Sequence, residues 1–390
     1  MMSIFRHLPL LTSRRHYAAS AFVACLGLIS AIASAKNDAL AESAMTSSLA
    51  QHSLLMDLDQ VGSRLIAVGE RGHILISEDN AISWKQMPVP VRVTLTASYF
   101  VDEKHGWAVG HDGVVLHTSD GGSHWQKQLD GRQANQLMLE RAQAQLAKNE
   151  VTIQAAIQTA NPEQLNELEM QLESLTINAE DAESFVIEGA SRPFLDVWFR
   201  NDREGFIVGA YGLFLHTTNG GDSWQPWTEH IDNQDLLHLN AIRLVGKSLY
   251  IAAEAGHLFR SDDNGESWIL LDSPYDGTFF GLIGAGDNAL VAYGLRGNAF
   301  ISYDQGNHWQ TINTGIDASL FGSTRLPDGS VTLVGDGGFS FQINPKGQVS
   351  HLSQTPNKLP LSAVISKSDT NLLTVGLAGI QPISSQNIKP

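Results

Sequence analysis

The chain is almost without cysteine: Cys25 is the single one among 390 residues. That excludes a disulfide framework and any thiolate metal cluster. Basic residues are also scarce, with 25 Lys and Arg against 41 Asp and Glu, a formal charge of −16. A nucleic-acid binder carries a basic patch, and no segment here supplies one. Long apolar runs are confined to Ala18 through Ile32. No later stretch is apolar enough to cross a bilayer as a helix. Familiar catalytic strings are missing too: there is no H-E-x-x-H, no P-loop and no nucleophile elbow. His105, His111 and His117 are spaced by six, which is no metal-ligand spacing. No cofactor, metal or catalytic residue is expected.

The N-terminus reads as an address. Arg6, Arg14 and Arg15 precede the apolar run, and Ala33-Ser34-Ala35 closes it as a small-residue cleavage site. Residues 1–35 are therefore expected to be a cleaved signal peptide that takes Cys25 with it. Ser13-Arg14-Arg15-His16-Tyr17 resembles a twin-arginine signal, so the Sec and twin-arginine routes both stay open. The segment holds three Arg and no acid. What remains has 22 basic and 41 acidic residues, net −19. A periplasmic or secreted, thiol-free, acidic protein is expected.

Glycine, by contrast, is plentiful, and it is periodic. Gly-x-x-Gly begins at Gly69, Gly110, Gly209, Gly294, Gly335 and Gly376, with the variant Ala253-Glu254-Ala255-Gly256 between the third and fourth. The steps are 41 residues or close to it, except for one of 99. Alternating apolar runs flank each pair, such as Trp107-Ala108-Val109 before and Val114-Val115-Leu116 after, which is the pattern of a β-hairpin.

A second signature follows downstream. It runs from Asp79 to Trp84, Asp120 to Trp125, Asn219 to Trp224, Asp263 to Trp268 and Asp304 to Trp309. It resembles the Asp-box of bacterial neuraminidase (BNR-type) repeats. The acid or amide is suited to brace its own turn, and the Trp to pack between neighbouring sheets. Equivalent carboxylates at one repeat position are structural in this reading, not catalytic. Four short strands per unit of about 41 residues describe a propeller blade. The expected fold is all-β, a seven-bladed β-propeller over residues 42–390. Residues near 42–52 are expected to supply the fourth strand of the last blade.

The long step hides an insertion. Residues 133–188 contain no Gly and are rich in Gln, Ala, Leu and Glu, with Leu165, Leu168, Leu172 and Leu175 as an apolar seam. Asn161-Pro162-Glu163-Gln164 reads as a helix start. An α-helical hairpin of 133–160 and 162–178 is expected after blade 2. Between residues 132 and 188 there are three basic and ten acidic residues, net −7. The insertion is either a self-packed arm with a solvated acidic face or a docking arm for a partner.

The repeat length, the Val-Gly-x-x-Gly strand ends and the S-x-D-x-G-x-x-W boxes together resemble the photosystem II stability/assembly factor family. Trp107-Ala108-Val109-Gly110-His111-Asp112-Gly113 and Tyr293-Gly294-Leu295-Arg296-Gly297-Asn298-Ala299-Phe300 carry the likeness. The resemblance implies a non-enzymatic accessory propeller whose partner is a membrane protein or membrane-protein complex. It also implies contact through surface arginines, for which Arg71 and Arg296 are the first candidates. His111, Asp112, Tyr211, Glu254 and Asp336 occupy the same turns and complete the candidate contact set. The alternative is a carbohydrate-active propeller enzyme of sialidase or glycosidase type. Its Phe/Tyr-Arg-Ile-Pro string is missing ahead of the first box, and the nearest match, Thr324-Arg325-Leu326-Pro327, lies in the sixth repeat.

Overall fold

Short alternating runs bounded by turn residues make antiparallel strands, and they do so seven times. The computed structural model describes residues 38–367 and 371–384; the expected signal peptide, residues 1–35, lies outside them. Among the described residues, seven antiparallel sheets follow one another, six of four strands and one of three. Strands lie in each sheet in chain order. The first strands are Leu55–Val61, Leu95–Phe100, Phe194–Phe199, Leu239–Val245, Phe279–Ala285, Leu320–Arg325 and Leu361–Ser366. Each lies beside the first strand of the next sheet, and the last returns to the first. The fold is a seven-bladed propeller with these strands around its axis.

The core lies between blades. Second and third strands are buried on both faces, as in Val331–Gly335 and Ile74–Ser77. Trp125 of blade 2 shares a buried core with Ile66 and Val68 of blade 1, and Trp268 of blade 4 shares one with Trp198 and Phe206 of blade 3, its ring edge-on to Phe214. Trp107 stacks on Phe199 across the next seam, with ring centroids 3.4 Å apart. The boxes brace their own turns, and two of them, at Trp125 and Trp268, also bond the indole, whereas the buried N–H groups of Trp224 and Trp309 have no such bond among the described residues. Asp120 accepts the His124 amide and the Thr118 hydroxyl, both at 2.9 Å. The Trp125 indole N–H donates to Gly122 O at 2.9 Å. Asn219 and Asp263 accept the amides of Ser223 and Ser267 in the same way, at 3.0 and 2.9 Å. Trp84 and Trp309 are half-buried members of the series.

The expected fourth strand from residues 42–52 is not there. That segment holds bends and a 3-10 turn at Ala50–His52. It runs along blade 1, where the Ala44 amide donates to Val89 O at 2.9 Å and the Ser47 amide to Gln86 Oε1 at 2.8 Å. The regular strands therefore begin at Leu55 rather than near residue 42. Blade 1 already owns four strands, so the ring closes by packing: Leu58 and Ala67 meet Leu373 and Val375. One backbone bond, from Ile380 N–H to Gln51 O at 3.0 Å, ties the two ends.

The insertion is a helical hairpin with different limits from those expected. Helix α1 spans Gly131–Ile157 and α2 spans Pro162–Glu188. Asp130 starts α1 two residues early through a capping box with Gln133. Asn161 and Gln164 form the same box ahead of α2, with Pro162 in the first turn. Helix α2 runs ten residues past the expected 178. The leucine seam ends there, but no breaker intervenes before Gly189, at φ 86°. Ala179 and Ala182 are buried in this part, where small side chains replace the leucines. At 27 residues each, the helices are about 40 Å long. Among the described residues, no helix is long and apolar enough to cross a membrane.

If the box Trp is a principal inter-blade contact, Trp125→Ala costs about 3–5 kcal/mol of stability in urea titration, while Trp125→Phe costs less. Equal, small losses for both would show that blades 1 and 2 are held by other contacts.

Candidate functional site

The Gly-x-x-Gly turns are built by one repeated bond. The amide after the first turn residue donates to the carbonyl just before its blade's first strand. The pairs are Glu70 to Leu54, His111 to Thr94, Ala210 to Pro193, Glu254 to His238, Leu295 to Thr278, Asp336 to Ser319 and Leu377 to Pro360, at 2.8–3.1 Å. The last glycine of the turn is needed twice over. Gly297, for example, has φ 71°, and a Cβ there would strike the Ile316 carbonyl. In five blades a non-glycine residue before it is also left-handed: Arg71 at φ 57°, Asp112 at 56°, Tyr211 at 53°, Ala255 at 51° and Arg296 at 53°.

Strand alternation places these turns. Connections between strands two and three share a face with the connections between blades. The Asp-boxes, between strands three and four, occupy the other face. The arm joins the last strand of blade 2, Gln126–Leu129, to the first of blade 3, so it rises from the turn face. Packing agrees, since Gly131 at the base of α1 sits directly on the Asp112–Gly113 turn.

The candidate contact residues divide. Arg71 and Arg296 are exposed, and neither guanidinium has a partner among the described residues. They stand on blades 1 and 5, so the ring keeps two blades between them on the shorter path. His111 is exposed on blade 2. Asp336 and Glu254 are drawn into their own turns: Asp336 accepts the Gly337 amide at 2.7 Å and Glu254 the His238 amide at 2.8 Å. Tyr211 is brought to the arm, 5.8 Å from the Phe185 ring and 4.8 Å from His238.

The arm is anchored at its base. Buried Asn135 donates to the Phe185 and Gly189 carbonyls at 2.7 Å each. Buried Arg192 reaches Asn135 Oδ1 at 2.7 Å, and its guanidinium lies 3.8 Å from the Phe185 ring centroid. Burial lowers Arg192 to about 10, so it stays cationic at neutral pH. Further out, Arg141 and Gln145 of α1 both hold Glu229 of the propeller. A cleft of about 300 Å³ remains between arm and propeller. Residues such as Phe185, Arg192 and Glu229 lie outside the motifs and turns that repeat reading selects.

A second cluster lies on the axis. Asp57, Asp59 and Asp196 line a channel of about 390 Å³ with Arg243. Arg243 pairs with Asp196, and the Ser98 hydroxyl donates to Asp59 at 2.7 Å. Burial pushes all three carboxyls up; Asp59 rises well above the usual range because Asp57 adds repulsion. The only sequence signal was acids at inward positions of first strands. Among the described residues, no group of three or more His, Cys, Asp or Glu could hold a metal ion.

A family model described as "Photosynthesis system II assembly factor YCF48" matches residues 76–155 and 180–358. The chain belongs to this family. The photosystem II assembly lipoprotein Ycf48 of Synechococcus sp. (strain CC9902) is 25% identical over 52% of this chain and 45% of its own. The chloroplastic stability/assembly factor HCF136 of Cyanidioschyzon merolae is 33% identical over 24% of this chain and 22% of its own. The matches thus span less than half the length of these curated relatives. Both names describe assembly factors and not enzymes. The fold is shared with solved structures titled "YCF48 bound to D1 peptide" (TM-score 0.56, 13% identity, 85% of this chain and 93% of that one) and "YCF48 from Cyanidioschyzon merolae" (TM-score 0.57, 12% identity, 89% and 99%). In this family member, the segment between the two matched stretches falls within the arm.

The two carboxylate sets titrate in opposite senses. Hydrogen bonds from Ser83 hold Asp79 at about 2, and those from His308 hold Asp304 at about 2. Their stabilisation is present above the ordinary value of 3.8 and is lost as pH falls toward 2. The axial acids, raised in the fold, cost stability as pH climbs from 3.8 through their raised values. Asp59→Asn is therefore expected to raise the melting temperature at pH 7 and flatten the decline above pH 4. An unchanged pH profile would remove the axial strain.

Proposed function

We propose that this chain is a non-enzymatic periplasmic accessory factor that holds a segment of a membrane protein on its turn face during assembly of a membrane complex. Membership of the YCF48 family carries the reading. A structural neighbour is titled as bound to a D1 peptide, which supports a polypeptide segment as the class of partner. The turn face is the side with the means to bind one. It carries the unpaired guanidiniums of Arg71 and Arg296, it carries the arm, and its turns are rigid. The Asp-boxes on the opposite face spend their polar groups on their own turns. The N-terminal signal supplies the address.

Affinity capture from detergent-solubilised membranes of the source organism tests this. The wild-type chain is expected to recover an integral membrane protein. The double reversal Arg71→Glu and Arg296→Glu is expected to reduce recovery about tenfold, and Lys85→Glu on the outer strand of blade 1 to leave it unchanged. Equal recovery by all three would rule out the turn-face arginines.

A further inference from the structure

The cleft under the arm takes its walls from three parts of the chain. Met138 comes from α1, Leu175 and Phe185 from α2, and Tyr211 and Leu236 from the turn face. Its volume of about 300 Å³ is at the small end of ligand clefts, which run about 300–1,000 Å³. That is room for one or two large side chains, not for a helix.

The hollow is held open at both ends. The Asn135 and Arg192 bonds fix its base, and the grip of Arg141 and Gln145 on Glu229 spans its side. Tyr211 is the unusual wall. It is 49% exposed and left-handed, a conformation in which a bulky side chain costs energy that glycine avoids. An amphipathic ring kept there at that cost, facing Phe185, forms a contact surface of the kind interfaces use.

Charge selects the occupant. Within the cleft Arg141 is paired with Glu229, and Arg192 is buried against Asn135 and Phe185, so the charge that selects an occupant is that of the surrounding arm, where ten acids between 132 and 188 face three basic residues. Asp181 lies on the cleft wall. Along α2 the pairing of apolar and acidic continues, with Met170 62% and Ile177 47% exposed beside Glu169, Glu173 and Glu180. A second copy of this chain would set one net −7 arm against another, which repels. We propose that the cleft seats one aliphatic or aromatic side chain of a partner polypeptide whose flanking residues are Lys or Arg. The inference rests on the turn face being the docking face, and it assigns the apolar anchor to the arm sector at blades 3 and 4.

Fluorescence anisotropy of the full chain with short labelled peptides tests it. One probe has Leu and Phe among lysines. The second has glutamates for the lysines, and the third keeps the lysines but has Ala for Leu and Phe. The first is expected to bind, with the other two at least about tenfold weaker, and to weaken with added salt. Tyr211→Gly suits the left-handed position and is expected to weaken the first probe about tenfold, with the melting temperature measured alongside to show that the fold is kept. Glu180→Lys with Asp181→Lys is expected to shift preference toward the acidic probe. Equal binding of acidic and basic probes, no binding of any probe, or full binding by Tyr211→Gly would each overturn the proposal. Capture of a membrane protein by Tyr211→Gly at the wild-type level would also overturn it, while leaving the docking face standing.

Discussion

One backbone hydrogen bond recurs in every blade and sets the geometry of the working face. It runs from the amide after the first turn residue to the carbonyl ahead of the blade's first strand. It closes the hairpin of strands two and three onto the axis-lining strand. In blades 1 to 6 the third residue of the turn is left-handed, whether its side chain is Arg, Asp, Tyr or Ala or it is Gly337; in blade 7 the same bond forms, but Ala378 stays out of that region. Glycine would satisfy that backbone everywhere, yet Arg, Asp, Tyr, Ala and Arg stand there in five blades. The scaffold fixes the backbone and leaves this side chain free to vary, which is how a repeat array acquires a surface that differs from blade to blade.

The same topology explains where the arm is. A connection between blades must leave from the face that carries these turns, so an insertion there is delivered to them. The base of α1 rests on the blade 2 turn and Phe185 meets the blade 3 turn. The opposite face has little polar capacity to spare, because each Asp-box acid accepts bonds from its own turn. The axis is also occupied internally: Arg243 and three carboxylates compensate one another incompletely. Docking through the turn face and arm leaves the axial charges and the box turns to their structural duties.

Much of this was legible in the sequence because repetition amplifies weak signals. A single Gly-x-x-Gly says little; six of them and one variant, about 41 residues apart except across the insertion, define blades, strand order and face. The hairpin insertion was legible from its missing glycines, although α2 outran the leucine seam because Ala179 and Ala182 carry the packing onward. Ring closure was misread, since a missing strand invites a donor and packing of Leu58 and Ala67 on blade 7 leaves no motif. The cleft was invisible for a different reason. Met138, Phe185, Tyr211 and Glu229 come from separate elements, and no repeat relates them. Arg71 and Arg296 share a repeat position, but the ring sets them apart.

The most direct measurement is amide hydrogen exchange of the full chain, alone and bound to its captured membrane protein. Protection concentrated in the Gly-x-x-Gly turns and in α1 and α2, with the Asp-box turns unchanged, is the expected result. Protection of the Asp-box turns, with the turns and arm exchanging as in the free protein, would contradict a docking face built from the arm and the turns.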